Sequence, residues 1–208
     1  MNPYLSTAIA MCVIGIIAIV LTAYLAAHMN RKAKADLSAR LQPLADKIDG
    51  DLQAEEVTVT GRWQGHIAEG RMANALDGPG RVFFTRIIDP AGGEKWVWTS
   101  SAPRKPDEPR EIKFECKASE ELCSTFELEL PGHFEDLLKM PGWTRVEYDP
   151  EAGHVRLTKP MLSRNDIPSP ELFERQLNAL VTIADYNRAQ IQAANPDDLP
   201  NPLPTDPA

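Results

Sequence analysis

The histidines and cysteines beyond residue 30 are the side chains that most often bind metals or act as nucleophiles. They are His66, His133, His154, Cys116 and Cys123. A zinc site needs ligands in closely spaced pairs, and neither CxxC nor HxxxH occurs. Cys116 alternates with charged residues, which predicts a small core side chain, and no cation near Cys123 would activate its thiol. We therefore predict no catalytic residue, no cofactor and no metal site.

Three glycines, at positions 61, 65 and 70, are the nearest approach to a phosphate-binding loop. They follow a predicted strand, but no helix pattern comes behind them, and GxGxxG, GxxxxGK[ST], GxSxG and HExxH are all absent. Turn glycines explain the series better. An enzyme without a short signature stays as the alternative function, with its site between Gly61 and Met72 and His66 in a polar pocket.

Two tryptophans offer a candidate for partner binding. Trp96 and Trp98 share one face of a predicted strand, and Val97 lies on the other. We expect the tryptophan face to be the core. If Val97 faces the core instead, the two indoles form an exposed partner-binding platform for a peptide, a sugar or the edge of another sheet.

The soluble domain that contains these residues follows an apolar stretch from Leu5 to Ala27 that has no charged residue and would hold the domain beside a membrane. As a helix it would be about 34 Å long, enough to cross a bilayer core of about 30 Å. A cleaved signal peptide would have a basic start and small residues before the cut, which this stretch lacks. The sequence predicts an uncleaved anchor over residues 1–30, in contact with membrane lipid.

Cations stand on one side of this stretch only. Arg31, Lys32, Lys34 and Arg40 follow it, and no Lys or Arg precedes it. The positive-inside rule predicts a cell-membrane protein with its N-terminus outside and its C-terminal domain in the cytoplasm. Export of the domain is the alternative. Small residues recur in the helix at Gly15, Ala18, Thr22 and Ala26, so a weak homodimer through the membrane is a second alternative.

The remainder of the chain is acidic. The net charge is −8, and with Arg31, Lys32 and Lys34 set aside, 19 Lys and Arg face 30 Asp and Glu, or −11. Such a domain repels phosphates, which argues against nucleic acid as a partner. In a cytoplasm, Cys116 and Cys123 would be reduced thiols, whereas in an exported domain the two could form a disulfide, so their state reports the topology.

The order of patterns along the chain predicts an antiparallel α+β domain. Residues 31–52 form a charged juxtamembrane helix or linker with an apolar stripe, bent or restarted near Leu41 by Pro43. Residues 53–194 form the soluble domain, and the Pro- and Asp-rich residues 195–208 are predicted to be disordered. The apolar stripe consists of Leu37, Leu41, Leu44 and Ile48. The strands are predicted at 57–63, 81–88, 95–99, 111–117, 126–130, 143–148 and 154–159, and the helices of the domain at 134–140 and 170–194.

Two hairpins are predicted, over 81–99 and 143–159, with a long C-terminal helix packed on the sheet. No repeat or catalytic motif accompanies this pattern. The sequence therefore predicts a membrane-anchored, non-catalytic binding or scaffolding module with a protein partner that it does not identify.

Overall fold

The computed structural model describes residues 3–75, 80–89, 92–101, 108, 110–130, 132, 137 and 142–194, with the backbone alone at residues 3–10 and 12. The helices and strands are α1 (Pro3–Lys47), β1 (Asp51–Gln53), β2 (Thr58–Trp63), β3 (His66–Asn74), β4 (Arg81–Ile88), β5 (Trp96–Ser100), β6 (Ile112–Cys116), α2 (Glu120–Glu129), β7 (Thr144–Asp149), β8 (His154–Met161) and α3 (Pro170–Ala194). The chain divides into two compact units, Met1–Arg40 and Leu41–Ala208. The fold is α+β, as predicted.

The first unit is helical. Within the described residues, one helix is long and apolar enough to cross a membrane, by length and composition. Its large apolar side chains, such as Ile16 and Leu21, are more than half exposed. The hydroxyl of Thr22 donates to the carbonyl of Ala18 at 2.7 Å, so this polar group is satisfied inside the helix.

The predicted restart of the helix near Pro43 is wrong, whereas the alternative of a bend there stays a prediction. Helix α1 continues through Pro43 to Lys47, since the proline is exposed and removes only one backbone donor. In the second unit, Leu41, Leu44 and Ile48 of the predicted stripe are buried.

The second unit is built on one eight-stranded antiparallel sheet with the order β1-β2-β3-β4-β8-β7-β5-β6. A two-residue turn joins β2 to β3, with positive φ at Gln64 (48°) and Gly65 (85°), as hairpin turns require. Helix α3 packs on β4 and β8. Ser169 caps this helix as predicted, accepting a hydrogen bond from the backbone N–H of Leu172 at 3.3 Å.

The core lies between this helix and one sheet face, called the helix-covered face below. Phe173, Leu177 and Leu180 of α3 are fully buried, and the ring of Phe173 meets that of Phe83 edge to face. The Thr85 hydroxyl donates to the Gln176 side-chain oxygen at 2.7 Å, which satisfies a buried polar pair in that core. The other side of the sheet is called the opposite face.

The predicted hairpin between residues 81–88 and 95–99 is wrong. Strand β4 pairs with β3 and β8, whereas β5 pairs with β6 and β7. The second predicted hairpin, β7–β8, is present and inserts between them. A turn signal shows that the chain reverses, but it does not show which strand becomes the neighbour.

The strand predicted over residues 126–130 is also wrong, because this segment lies in helix α2 and the residue after it. Ser119 caps the helix and two glutamates occupy its first turn. Phe126 and Leu130, four residues apart, are buried, whereas Leu128 is 82% exposed. Most of the helix predicted over 134–140, and all of the tail from 195, lie outside the described residues.

Candidate functional site

A cavity of about 520 Å³ opens between the sheet and the start of α3. Its floor comes from β4 and β8, and its rim comes from the 3₁₀ turn Arg164–Asp166 and the residues that lead into α3. Most of the lining is apolar, including Phe83, Leu157 and Leu172. The volume lies within the range of about 300–1,000 Å³ that is usual for small-molecule sites.

The amino group of Lys159 is the cation of this cavity. Lys159 lies opposite Phe83 in the β4–β8 register, so it projects from the helix-covered face. Burial, and then the charge of Arg110, lower the pKa of Lys159 to about 8, although Asp166 acts in the other direction. Within the described part of the chain, no carboxylate lies within 4.0 Å of this amino group.

The Asp166 carboxylate at the rim is already occupied by backbone groups. It accepts hydrogen bonds from the backbone N–H groups of Leu162 (2.7 Å) and Ser163 (2.6 Å). These bonds, led by the one from Ser163, lower the pKa of Asp166. The carboxylate therefore holds the turn in shape and stays ionised, and the charge of Lys159 acts on it without a direct ion pair.

Several polar groups of the cavity are already hydrogen-bonded within the protein. Thr85 and Gln176 are hydrogen-bonded to each other, and the Ser169 hydroxyl caps α3. The lining residues in the described part of the chain include no histidine or cysteine that could act as a base or a nucleophile beside Lys159. The cavity is therefore a mostly apolar chamber, and the Lys159 ammonium is the cation in its described lining.

The opposite face carries a row of charges that satisfy one another. Glu69, Arg86, Arg156 and Glu147 stand side by side on β3, β4, β8 and β7. Arg86 Nε donates to Glu69 at 2.9 Å, Arg156 donates to Glu147, and both guanidinium groups lie within 6 Å of the Phe84 ring centre. Each of these charges has an oppositely charged partner, so the row contributes to stability, although the buried Nε of Arg156 makes no hydrogen bond.

Glu147 is the most deeply buried charge of that row, with 1% exposed. Its second oxygen accepts from Arg145 Nε at 2.7 Å. Burial by itself would raise its pKa, but the nearby His154 and the charges of Arg156 and Arg145 outweigh burial and lower the pKa to about 2.

The two candidate partner-binding tryptophans are buried. Trp96 is 0% exposed and Trp98 is 5% exposed, on the helix-covered face, where we expected the core to be. The Trp96 ring stacks on Tyr148, and its indole N–H donates to Asn187 of α3 at 3.3 Å. Partner binding at this strand stays a prediction, and it would have to use something other than exposed indole faces.

The two cysteines form a disulfide, contrary to the expectation of reduced thiols. Cys116 ends the edge strand β6 and Cys123 lies in α2, and the turn between these elements brings their Cα atoms to 5.7 Å. Cys116 is half-buried rather than a core residue, because β6 is an edge strand whose Ile112 is 46% exposed.

The two histidines of the second unit that the structure describes, His66 and His154, lie on different strands and have different acidic neighbours. His66 Nε2 lies 3.9 Å from Asp185, and it lines no part of the cavity at Lys159. His154 is 4% exposed, with neither ring nitrogen hydrogen-bonded and Glu147 3.9 Å away. His133 lies outside the described residues. Over the part of the chain that the structure describes, no group of three His, Cys, Asp or Glu could hold a metal ion.

Lys159 was missed in the sequence, although a signal for it exists. Val155, Leu157 and Met161 fill the same phase of the β8 alternation, and Lys159 is the cation that interrupts it. The cavity itself had no signal, since its rim comes from the turn at Arg164–Asp166 and its floor from strand pairing. No family model, no curated protein and no solved structure matches the chain.

Proposed function

We propose that this chain is a single-pass membrane protein whose C-terminal domain is a non-catalytic binding module that takes its ligand into the cavity at Lys159. The observation that carries the proposal is a half-buried ammonium in an apolar chamber, with no carboxylate partner among the described residues. Leaving a cation partly desolvated without a partner is unfavourable for folding, and a ligand would offset that penalty.

The test is ligand retention by the full chain in lipid nanodiscs, measured by equilibrium dialysis with three radiolabelled probes. The probes are octanoate, octanol and octylamine, which share an alkyl chain and differ in charge. Leu172→Trp fills the cavity, and Leu128→Trp places the same side chain at an exposed site on α2 as the matched control. We expect at least one probe to bind wild type and Leu128→Trp but not Leu172→Trp. Equal retention of every probe by all three proteins would refute the proposal.

For the orientation, we propose that the short N-terminus lies outside and the domain lies in the cytoplasm. Arg31, Lys32 and Lys34 after the apolar stretch support this orientation. The Cys116–Cys123 disulfide supports a second candidate, an exported domain, because structural disulfides persist mainly in oxidising compartments.

A single reporter thiol decides between these orientations. Leu162 is 97% exposed, so Leu162→Cys combined with Cys116→Ser and Cys123→Ser presents one accessible thiol in the domain. A membrane-impermeant maleimide should label it only after intact cells are permeabilised. Labelling of intact cells would establish the exported orientation instead.

A further inference from the structure

We infer that the edge strand β6 is a dimer interface, at which a second copy of this chain adds its own β6 in an antiparallel register centred on Phe114. The residues of β6 do not line the described cavity at Lys159. The dimer therefore adds a partner to the binding function proposed above, and it does not depend on that function.

Strand β6 lies at one end of the sheet, and within the described residues it pairs with β5 alone. Glu111 and Lys117, at its two ends, each make a backbone hydrogen bond of 2.9 Å on the β5 side. Hydrogen-bonded positions alternate in an antiparallel pair, so the residues whose N–H and C=O groups point away from β5 are Ile112, Phe114 and Cys116. These groups form a row with which a further strand can pair. Strand β1, at the other end of the sheet, is only three residues long.

The side chains of β6 on the opposite face alternate in charge, in the order Glu111, Lys113, Glu115 and Lys117. Lys113 and Glu111 form an ion pair at 3.1 Å in which both side chains are largely exposed (67% and 66%), so exchanging this partner costs little. In an antiparallel pair centred on Phe114, Lys113 lies opposite Glu115 of the second copy, and Glu111 lies opposite Lys117. Two-fold symmetry repeats both pairs, so every charge of this row meets an opposite charge.

Other antiparallel registers of the same two strands are unfavourable. A shift of two residues in one direction places Lys113 opposite itself and Glu111 opposite Glu115. A shift of two in the other direction places Glu115 opposite itself and Lys113 opposite Lys117, and like charges directly opposite each other are destabilising. A shift of one residue would set the outward groups of one strand against groups that are already bonded to β5. The charges therefore select a second copy in a single register.

The helix-covered face of this edge gains apolar contacts in the dimer. Ile112, which is 46% exposed, lies opposite Cys116 of the second copy. The Phe114 ring packs on Trp98 at a centroid distance of 4.7 Å, and it lies beside the two-fold axis, opposite itself. A single strand edge buries a small area, so we expect a weak dimer with a Kd of about 10 µM or higher.

Charge-swap variants of the full chain in density-matched detergent test this register by sedimentation equilibrium over about 1–500 µM. Lys113→Glu alone and Glu115→Lys alone each place like charges opposite each other twice, so the association constant should fall about 10- to 100-fold. An equimolar mixture of the two variants, and the double variant with both changes, restore opposite charges at every pair and should associate as wild type does. Glu151→Lys, at an exposed position in the turn between β7 and β8, is the matched control for the charge change and should also associate as wild type does.

Backbone hydrogen exchange gives a second readout, which a change in folding would not reproduce. The N–H groups of Ile112, Phe114 and Cys116 point away from β5, whereas those of Lys113 and Glu115 point toward it. Raising the concentration of wild type through its Kd should slow exchange at the first three and leave the other two unchanged. Unchanged exchange at Phe114 in a dimeric sample would overturn the interface.

Three sedimentation results would also overturn it. Wild type could remain monomeric over the whole concentration range. Wild type and both single variants could associate equally, which would assign the contact to another surface, such as the N-terminal helix. The single variants could lose association that neither the mixture nor the double variant restores, which would show that these charges do not face each other. Ligand retention in the cavity is measured separately, so none of these results decides the proposed binding function.

Discussion

Replacing Glu147 by Gln removes the charge at the centre of the row on the opposite face while keeping the size of the side chain. In the native protein, the carboxylate accepts from Arg156 through one oxygen and from Arg145 through the other. A folded-state pKa of about 2, against 4.5 for the free side chain, corresponds to about 3 kcal/mol of stabilisation at neutral pH. Water can hydrate the exposed parts of the two guanidinium groups in the variant, so we expect a loss of about 2–3 kcal/mol.

The sign of the pH dependence follows from the direction of this shift. Because folding lowers the pKa of Glu147, its stabilisation is complete above pH 4.5 and is lost as the pH falls toward 2. The gap in free energy of unfolding between wild type and Glu147→Gln should therefore be full at pH 7 and close to zero at pH 2. Other carboxyl groups titrate in both proteins and cancel in the difference.

Urea unfolding of the full chain in detergent, followed by tryptophan fluorescence, measures this gap. All four tryptophans lie beyond residue 60, so the signal reports the second unit rather than the N-terminal helix. Glu115→Gln is the matched control, since Glu115 lies on the same face of the sheet, on the edge strand β6, and is exposed. The reasoning fails if the gap at pH 7 is below about 0.5 kcal/mol, or if it is unchanged at pH 2.

Two further changes test the packing and the disulfide. A Cβ at Gly61 would lie 2.4 Å from the backbone oxygen of Ile48, so Gly61→Ala should destabilise the domain by about 1–3 kcal/mol. Gly132→Ala, which meets no atom of the described residues within 4 Å, is the control and should leave stability unchanged; equal unfolding midpoints of the two variants would contradict this. The double variant Cys116→Ser, Cys123→Ser removes the disulfide, whose cysteines are 7 residues apart in sequence, and should lower the free energy of unfolding in urea by about 2 kcal/mol. Reduced wild type should match the double variant. An unfolding midpoint equal to that of oxidised wild type would show that the disulfide does not stabilise the domain.

Periodicity and caps made most of the elements predictable from the sequence. The alternation in β2 and β4 and the Ser169 cap of α3 depend on residues close together in sequence, so they can be recognised without the tertiary structure. Helix α2 was misjudged because Phe126, Leu128 and Leu130 also fit an alternation, and only tertiary burial at a spacing of four distinguishes the two. The β7–β8 hairpin could be predicted because its strands are adjacent in sequence, whereas the pairing of β4 with β8 and of β5 with β7 and the cavity depend on residues far apart in sequence and could not.

The strand order has a consequence for how the chain folds. Strands β1–β4 and β5–β6 are adjacent in sequence within each group, yet the groups are joined in the sheet only by β7 and β8, residues 144–161. Until that hairpin emerges from the ribosome, β4 and β5 each present an open edge of unpaired backbone groups, which invites intermolecular pairing. Contacts of such long sequence separation slow folding. A chain interrupted before residue 144 would therefore hold two unfinished sheets, and it should aggregate rather than form a smaller version of the domain.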